Sequence, residues 1–571
     1  MRKSILFTLV MALMPIVFSC QKEQTPQQDT KITVTPDDSS SVYGLVSCNG
    51  IGIGGVSISD GIKVVRTNSH GIYQMRSKKE NRFVFISIPS GYEIPTKGVV
   101  PQIKRDLFKS ATSAERVDFQ LSDAGDQTNH TMLIFGDIHL AGSRSKCREQ
   151  FKTFTSEIAE YISNHKGEKI YAVTLGDMTW DYFWYTNSYS FDEYLGDMEP
   201  LRGLSVFHTI GNHDHNMRTS VDGNVSGWNT VDWDTGKAFR FAIAPSNYSF
   251  NIGEIHYIVL DDIFCKNTTG GTADDRHYEE TLSEEGISWL KNDLHFISKN
   301  TPVVITMHAP LFDKKGNNSL KDADQLIELF KDFSSVTFIT GHSHKMWNIQ
   351  KGNIKEYNSG AICAAWWDSG YYFPDLNIGQ DGSPGGYRIM NIVGESMTSL
   401  FKSTGRDSNY QFRAYDRNSI CLTAKKYNIT NTTASNFNSD MKKYGGFDQP
   451  SSENKVILNI WDVDNNWKVE VTEREGKNEK VLSVNRIWSY DPLFLITYIA
   501  KRYENGKSIG HKPAITNHFF EISASSPTST LEIKITDDEG RTYTETMKRP
   551  KPFTTSQYIG DSNPHSYVEL F

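Results

Sequence analysis

The stretch VFHTIGNHDHNM, residues 206–217, decides how this chain is read. Residues 206–210 are β-branched and aromatic in type, the composition of a buried strand. The run halts at Gly211, and Asn212, His213, Asp214, His215 and Asn216 follow at once. A surface turn is satisfied by Gly, Asn or Asp and has no use for two histidines. Imidazoles beside carboxamide and carboxylate oxygens are the groups that ligate cations and carry protons near neutral pH.

The pattern recurs on both sides. TMLIFGDIHL (131–140) runs into Asp137 and His139, IYAVTLGDMTWD (170–181) into Asp177, VVITMHAP (303–310) into His308, and VTFITGHSH (336–344) into His342 and His344. Singly these signals are weak. Gly-Asp is ordinarily a turn, and a lone His is ordinarily a hydrogen-bonded core residue. In an extended GHSH, alternate residues point the same way and the Gly permits close approach. Helical patterns separate the strands. In residues 148–165, Phe151, Phe154, Ile158 and Ile162 recur at helical spacing, and residues 283–294 open on Ser283 followed by acids, a capped start. Strands alternating with helices predict an α/β domain, and strand ends of an open sheet share one crevice. The ligand-bearing loops are therefore expected to converge.

With 571 residues, the chain is expected to hold several domains. Its 38% hydrophobic and 22% charged residues are globular composition, and the net charge of -8 gives no general pull toward nucleic acid or an anionic membrane. Arg2 and Lys3 precede an apolar run, 5–18, too short to span a bilayer and suited to a signal sequence. It ends in Val17-Phe18-Ser19-Cys20, which resembles a bacterial lipobox. The expectation is a lipoprotein signal over 1–20, lipid on Cys20 and a place in the cell envelope. The anchor would be in the outer membrane, periplasmic or surface-facing; a plain secretory signal is the alternative. Residues 21–41 read as a flexible tether, 42–122 as a β-sandwich module, 130–402 as the α/β domain, and 409–571 as a third, β-rich domain. Gly55, Asp60-Gly61 and residues 68–73 resemble carboxypeptidase-regulatory-like modules, which are spacers or docking platforms. Cys48, Cys147, Cys265, Cys363 and Cys421 show no CxxC spacing and are read as buried thiols, with a disulfide among them the open alternative.

The ordered set D-x-H, G-D, G-N-H-D, H, G-H-x-H resembles the calcineurin-like metallophosphoesterase superfamily. The segments APSNYSFNIGEIHYIVLDD (244–262) and LSEEGISWLKNDL (282–294) resemble connecting segments of its bacterial members. The flanking modules resemble those of a multidomain bacterial lipoprotein subfamily. The resemblance implies an α/β metallophosphoesterase fold, a central β-sandwich flanked by helices, with smaller β-sandwich domains on both sides. It implies two divalent metal ions, with Mn, Fe or Zn suited to the nitrogen and oxygen donors. Asp137, His139 and His344 would hold the first ion. Asn212, His308 and His342 would hold the second, and Asp177 would bridge. A metal-bridging hydroxide would attack phosphorus and His213 would protonate the leaving oxygen. Asp214 is read either as the partner that orients His213 or as a turn-capping carboxylate. His215 is read as a substrate contact or a spare surface residue, and Asp181 as a solvated loop residue. Purple acid phosphatases carry a Tyr ligand three residues after the bridging Asp; Trp180 stands there instead, so tyrosinate-to-iron colour is not expected.

Trp366, Trp367 and Tyr387, with the aromatic stretch 182–194, are candidates for a wall that stacks a sugar, base or apolar leaving group. Core packing is the competing reading of each. The sequence thus points to a secreted phosphoesterase acting on mono- or diesters, such as a phosphorylated glycan, phospholipid head group or nucleotide. The alternatives are a non-catalytic glycan-binding surface lipoprotein and a superfamily nuclease. The acidic balance and the lack of a Lys/Arg-rich stretch weigh against a nucleic-acid partner.

Overall fold

The structure is a computed structural model that describes residues 33–142, 147–221, 224–266, 277–362, 369–430 and 432–559. In chain order the middle domain begins β1 (Asn129–Phe135), α1 (Cys147–Asn164), β2 (Ile170–Leu175), β3 (Val206–Thr209), β4 (Tyr248–Ile252), β5 (Ile255–Val259) and α2 (Glu284–Leu294). It continues β6 (Val303–Thr306), α3 (Ala323–Phe330), β7 (Val336–Thr340), β8 (Trp347–Lys351), β9 (Ile354–Asn358), β10 (Gly386–Val393) and β11 (Ser396–Ser403).

These strands form two sheets, ordered β3-β2-β1-β10-β11 and β4-β5-β6-β7-β9-β8. Strands β1, β2 and β3 are parallel, as are β5, β6, β7 and β9. Nearly every residue of β1, β2, β3, β6 and β7 is buried, which is why their sequences read as continuous apolar runs rather than alternating ones. The antiparallel hairpin β10–β11 extends the first sheet beyond β1, and the hairpin β8–β9 closes the far edge of the second. The sheets meet through stacked Phe207 and Phe250, ring centroids 3.5 Å apart. At their carboxyl ends the Thr209 hydroxyl donates to Thr306 Oγ1 across 3.1 Å. Helix α1 covers the first sheet with Phe151, Phe154 and Ile158 buried and Ile162 half-buried, and the Phe154 ring meets Phe135 edge-on at 4.9 Å. Ser283 Oγ accepts from Gly286 N and caps α2.

The N-terminal module pairs two small sheets, one centred on Val42–Cys48 and one on Phe83–Ile86. Such modules are expected to be spacers or docking platforms; here the apolar residues run into the same core as the middle domain. Val206 N, at the start of β3, donates to Val99 O at 2.8 Å, and Asn251 N in β4 donates to Ile88 O at 2.8 Å. The module therefore completes hydrogen bonding on strands of both central sheets.

The C-terminal domain carries two four-stranded sheets, as the β-rich reading implied. It also has helices the sequence reading did not foresee, Ala434–Lys443 and the helical run from Pro492 to Glu504. From Pro492 to Ala500 that run is buried on all sides, so no amphipathic stripe betrayed it. Cys48, Cys147 and Cys265 are buried and Cys421 half-buried; Cys363, the signal segment and Cys20 lie outside the described residues. Among those residues no helix is long and apolar enough to cross a membrane.

The C-terminal domain is fastened to β10 by a buried ion pair. Arg388 Nη1 and Nη2 each donate to Asp462 across 2.9 Å, and the guanidinium lies 4.7 Å from the Tyr357 ring. Removing one partner of such a pair leaves the other charge buried and unpaired. Arg388→Ala is expected to lower stability by about 3–5 kcal/mol, read as a reduced denaturant midpoint. Metal content of the refolded variant should be retained, because Arg388 is not among the candidate ligands.

Candidate metal centre

The loops that follow β1, β2, β3, β6 and β7 meet at one end of the central sandwich. They can approach because key positions lack a side chain. A Cβ on Gly341 would sit 2.4 Å from Asp137 Oδ2, and one on Gly211 would sit 2.3 Å from Asp177 N. The backbone turns sharply just where the ligands stand. Asp137, His139, Asp177, His342 and His344 have φ of 39°, 49°, 50°, 63° and 54°. Left-handed φ in residues with a Cβ costs of order 1–3 kcal/mol each and persists where surrounding structure enforces it.

Three buried carboxylates clamp the adjoining loops. Asp214 accepts from Gly211 N, Met178 N and Thr179 N at 3.0–3.1 Å. Asp262 accepts from His308 N at 3.0 Å and Ala309 N at 2.7 Å. Glu356 accepts from Leu311 N at 2.7 Å, Phe312 N at 2.9 Å and the Thr340 hydroxyl at 2.9 Å. Burial pushes each of these carboxyls up to about 7 against the amides that favour its ionised form.

The side chains then converge. Asp137, His139 and His344 form one group, Asp177, His308 and His342 another, and His139, Asp177 and His213 a third, each with its ligand atoms within 4.8 Å of one another. Asp177 Oδ2 lies 3.3 Å from both His139 Nε2 and His308 Nε2. Burial opposes the Asp177 charge, yet the His308, His213 and His139 rings hold its carboxyl well below the usual carboxylate range.

Ring tautomers test whether this set suits a cation. His308 Nδ1 lies 2.7 Å from Leu175 O, which only accepts, so Nδ1 carries a proton. His342 Nε2 lies 3.1 Å from Glu280 Oε1 and carries one likewise. In the neutral rings, the His308 Nε2 and His342 Nδ1 lone pairs face each other at 3.0 Å, with Asn212 Oδ1 2.9 Å from His308 Nε2. His139 Nε2 and His344 Nε2 face each other at 2.9 Å. Burial disfavours a charged His308, but Asp177, with Asp137 and Asp262 behind it, pushes that ring up to about 10. A divalent cation turns the same facing lone pairs into ligand bonds, so the donor set fits a metal.

Three family descriptions match consecutive parts of the chain: "N terminal of Calcineurin-like phosphoesterase" over residues 40–124, "Calcineurin-like phosphoesterase" over 130–346, and "C terminal of Calcineurin-like phosphoesterase" over 356–543. The chain belongs to the calcineurin-like phosphoesterase family. No curated protein matches it in sequence. Similar solved structures include GAP50, the anchor in the inner membrane complex of Plasmodium, at 14% identity and TM-score 0.30, covering 49% of this chain and 85% of that one. They also include the 5'-nucleotidase from Candida albicans, at 11% identity and TM-score 0.29, covering 50% of this chain and 52% of that one. A Thermus thermophilus protein, TT1561, is similar at 11% identity and TM-score 0.26, covering 48% of this chain and 99% of that one. Family membership and the His/Asp groups make this calcineurin-like phosphoesterase a metal-dependent phosphoesterase in general class.

Around the metal centre the calcineurin-like phosphoesterase opens a cleft of about 690 Å³ that includes His139, Asp177, Asn212, His213, His342 and His344 in its lining. His213 Nδ1 is 2.9 Å from Asp181 Oδ1, and Asp181 is buried. The partner of His213 is therefore Asp181, read from sequence as a solvated loop residue. Of the two readings of Asp214, as the catalytic residue that orients His213 or as a turn-capping carboxylate, the second fits, because its oxygens are taken by backbone amides. His215 does not face the cleft. It is buried, with Nδ1 2.7 Å from Thr235 Oγ1 and Nε2 3.3 Å from Asp261. Tyr387 is no substrate wall either; it packs on Phe154 and its hydroxyl donates to Glu157. Trp366 and Trp367 lie outside the described residues. Of the aromatic stretch 182–194, Tyr182 lines the cleft, whereas Trp184, Tyr189, Phe191 and Tyr194 are core. Trp180 stands edge-on to His139 and His213, at 6.0 and 5.7 Å. Glu280, Asp262 and Glu356 had no motif to announce them; the Asp-Asp at 261–262 ending an apolar run was the one available signal.

Asp177→Asn keeps the shape of the central side chain and removes its charge. The variant is expected to lose metal from both groups of ligands together. Elemental analysis after dialysis against Mn checks this; a variant still carrying the wild-type metal load shows that Asp177 is not shared.

Proposed function

We infer that this protein hydrolyses phosphate mono- or diesters outside the cytoplasm, anchored by lipid on Cys20. The observation that carries the reading is the pairing of His213 with buried Asp181 beside the converged His/Asp groups, at the floor of an open cleft. Asp137, His139 and His344 would hold one cation and Asn212, His308 and His342 a second, with Asp177 between them. When bound, such a pair supplies Lewis acidity and an activated water. A donor set with two carboxylates leaves the pair net positive, which draws an anionic phosphate into the cleft.

The protein's own residues do the rest. His213 donates Nδ1–H to the Asp181 carboxylate, which fixes the ring and offsets charge on it. A second proton then sits on Nε2, from which it passes to the departing oxygen; an alkoxide leaves poorly without it. His213 N also donates to Asp177 Oδ1 at 2.7 Å, so the proton donor and the central carboxylate move as one unit. Trp180 and Tyr182 crowd the ring and limit its rotation. Substrates of this reading are phosphate esters met in the cell envelope, among them phosphorylated glycans, phospholipid head groups and nucleotides.

The test uses Mn-loaded protein with p-nitrophenyl phosphate and bis-p-nitrophenyl phosphate; absence of turnover on both sinks the hydrolase reading. His213→Ala is expected to keep its metals yet lose about 10²–10⁴-fold in kcat on alkyl esters, and less on nitrophenyl esters, whose leaving group needs no proton. Metal loss in that variant would make His213 a ligand instead. Asp181→Ala should show the same dependence on leaving group with a smaller loss. For the anchor, Cys20→Ser should move the protein from the detergent phase to the aqueous phase on phase partitioning; an unchanged distribution refutes lipidation there.

A further inference from the structure

One wall of the cleft has a chemistry that metal binding and proton transfer do not use. It carries two lysines, Lys314 and Lys345, with Trp347 and Gln380 beside them. Both come from loops of the second sheet. Lys314 follows β6 and Lys345 follows the His342–His344 turn after β7, whereas His213 and Tyr182 rise from loops of the first sheet. The cleft over the candidate metal ligands thus lies between a wall carrying His213 and a cationic one.

Neither lysine has a carboxylate partner within ion-pair distance among the described residues. Lys345 Nζ donates to Ser343 O at 3.0 Å, and Lys314 Nζ donates to Ile515 O. An ammonium has three N–H groups, so each keeps capacity for a ligand. The nearby acids are engaged elsewhere. Asp313 accepts from the backbone N–H groups of Lys315 and Asn317. Glu280 faces His342. Asp381 accepts from Met346 N and Ser383 N and lies 3.3 Å from His518 Nε2. Lys314 is also placed by the C-terminal domain, which supplies the Ile515 carbonyl and the Trp488 ring, 5.7 Å from Nζ. Two ammonium groups on one cleft wall, neither in a direct ion pair and one of them placed by the C-terminal domain, form a ready anion subsite.

We propose that Lys314 and Lys345 bind a second anionic group of the substrate, so that the preferred substrates are phosphate esters whose organic part carries another phosphate or a carboxylate. This rests on the hydrolase reading for the fate of the ester but not for its binding. An ester of a neutral alcohol leaves both ammonium groups with carbonyl partners alone, whereas an ester with a second anionic group offers them charge-assisted hydrogen bonds.

The experiment measures binding to full-length, Mn-loaded protein by calorimetry at fixed ionic strength. One arm compares 3-phosphoglycerate with glycerol 3-phosphate, which differ by a carboxylate in place of an alcohol. The other compares glucose 1,6-bisphosphate with glucose 6-phosphate, so the arms separate a carboxylate from a phosphate as second anion. In at least one arm the ligand with the second anionic group is expected to bind about tenfold or more tightly, the worth of one charge-assisted hydrogen bond. Lys314→Met and Lys345→Met should each shrink that ratio, their combination should bring it near one, and Lys345→Arg should keep it. Equal affinities in both arms, undetectable binding of 3-phosphoglycerate and glucose 1,6-bisphosphate, or a preference that survives the double substitution overturns the proposal. Turnover of p-nitrophenyl phosphate is followed in parallel; its absence strikes the hydrolase reading alone, because the binding ratio does not depend on turnover.

Discussion

The arrangement depends on one buried charge. Asp177 sits at the end of β2 with imidazoles on two sides and the His213 amide on its other oxygen. A lone carboxylate at that depth is costly, and only a surround of positive charge or donors makes it stable. The imidazoles meet this need in one protonation state and metal cations meet it in another. The fold is therefore built around an anion that requires cations.

Holding such a group requires stiff loops, and the stiffness comes from acids that never touch substrate. Asp214, Asp262 and Glu356 each tie two or more backbone or hydroxyl groups in the loops after β2, β3 and β6. Charge-assisted bonds of this kind are stronger than neutral ones and resist the relaxation that left-handed backbone otherwise seeks. The centre thus has an inner set of donors and an outer set of clamps, both rich in carboxylate. The two differ by whether the oxygens meet ring nitrogens or amides.

This difference explains what the sequence reveals. Ligand-bearing strand ends are legible because apolar runs, glycines and His/Asp pairs recur together, and each motif is local. The fold class follows from the same strands and the helices between them. The sequence leaves both readings of Asp214 open and misplaces His215, because a tripeptide cannot say which way consecutive side chains turn; Asn212 and His213 line the cleft while Asp214 and His215 are buried away from it. Asp181 was undervalued because its partner lies 32 positions away. Tyr387 is grouped in the sequence with Trp366 and Trp367 as a candidate wall or as core, and alternation along β10 turns it toward Phe154. The helical run after Asp491 escaped because burial on all faces erases periodicity.

The bond from Val206 N to Val99 O has a consequence for how this architecture can be cut and recombined. The segment 130–346 matches a family description by itself, yet an edge strand of its first sheet borrows an acceptor from the preceding module, and both share one apolar interior. Excised there, the catalytic portion would present a bare strand margin and wet hydrophobic surface, the conditions that invite self-association. In this chain the unit of recognition by similarity is smaller than the unit of folding, so the leading module travels with the chemistry as its obligatory partner.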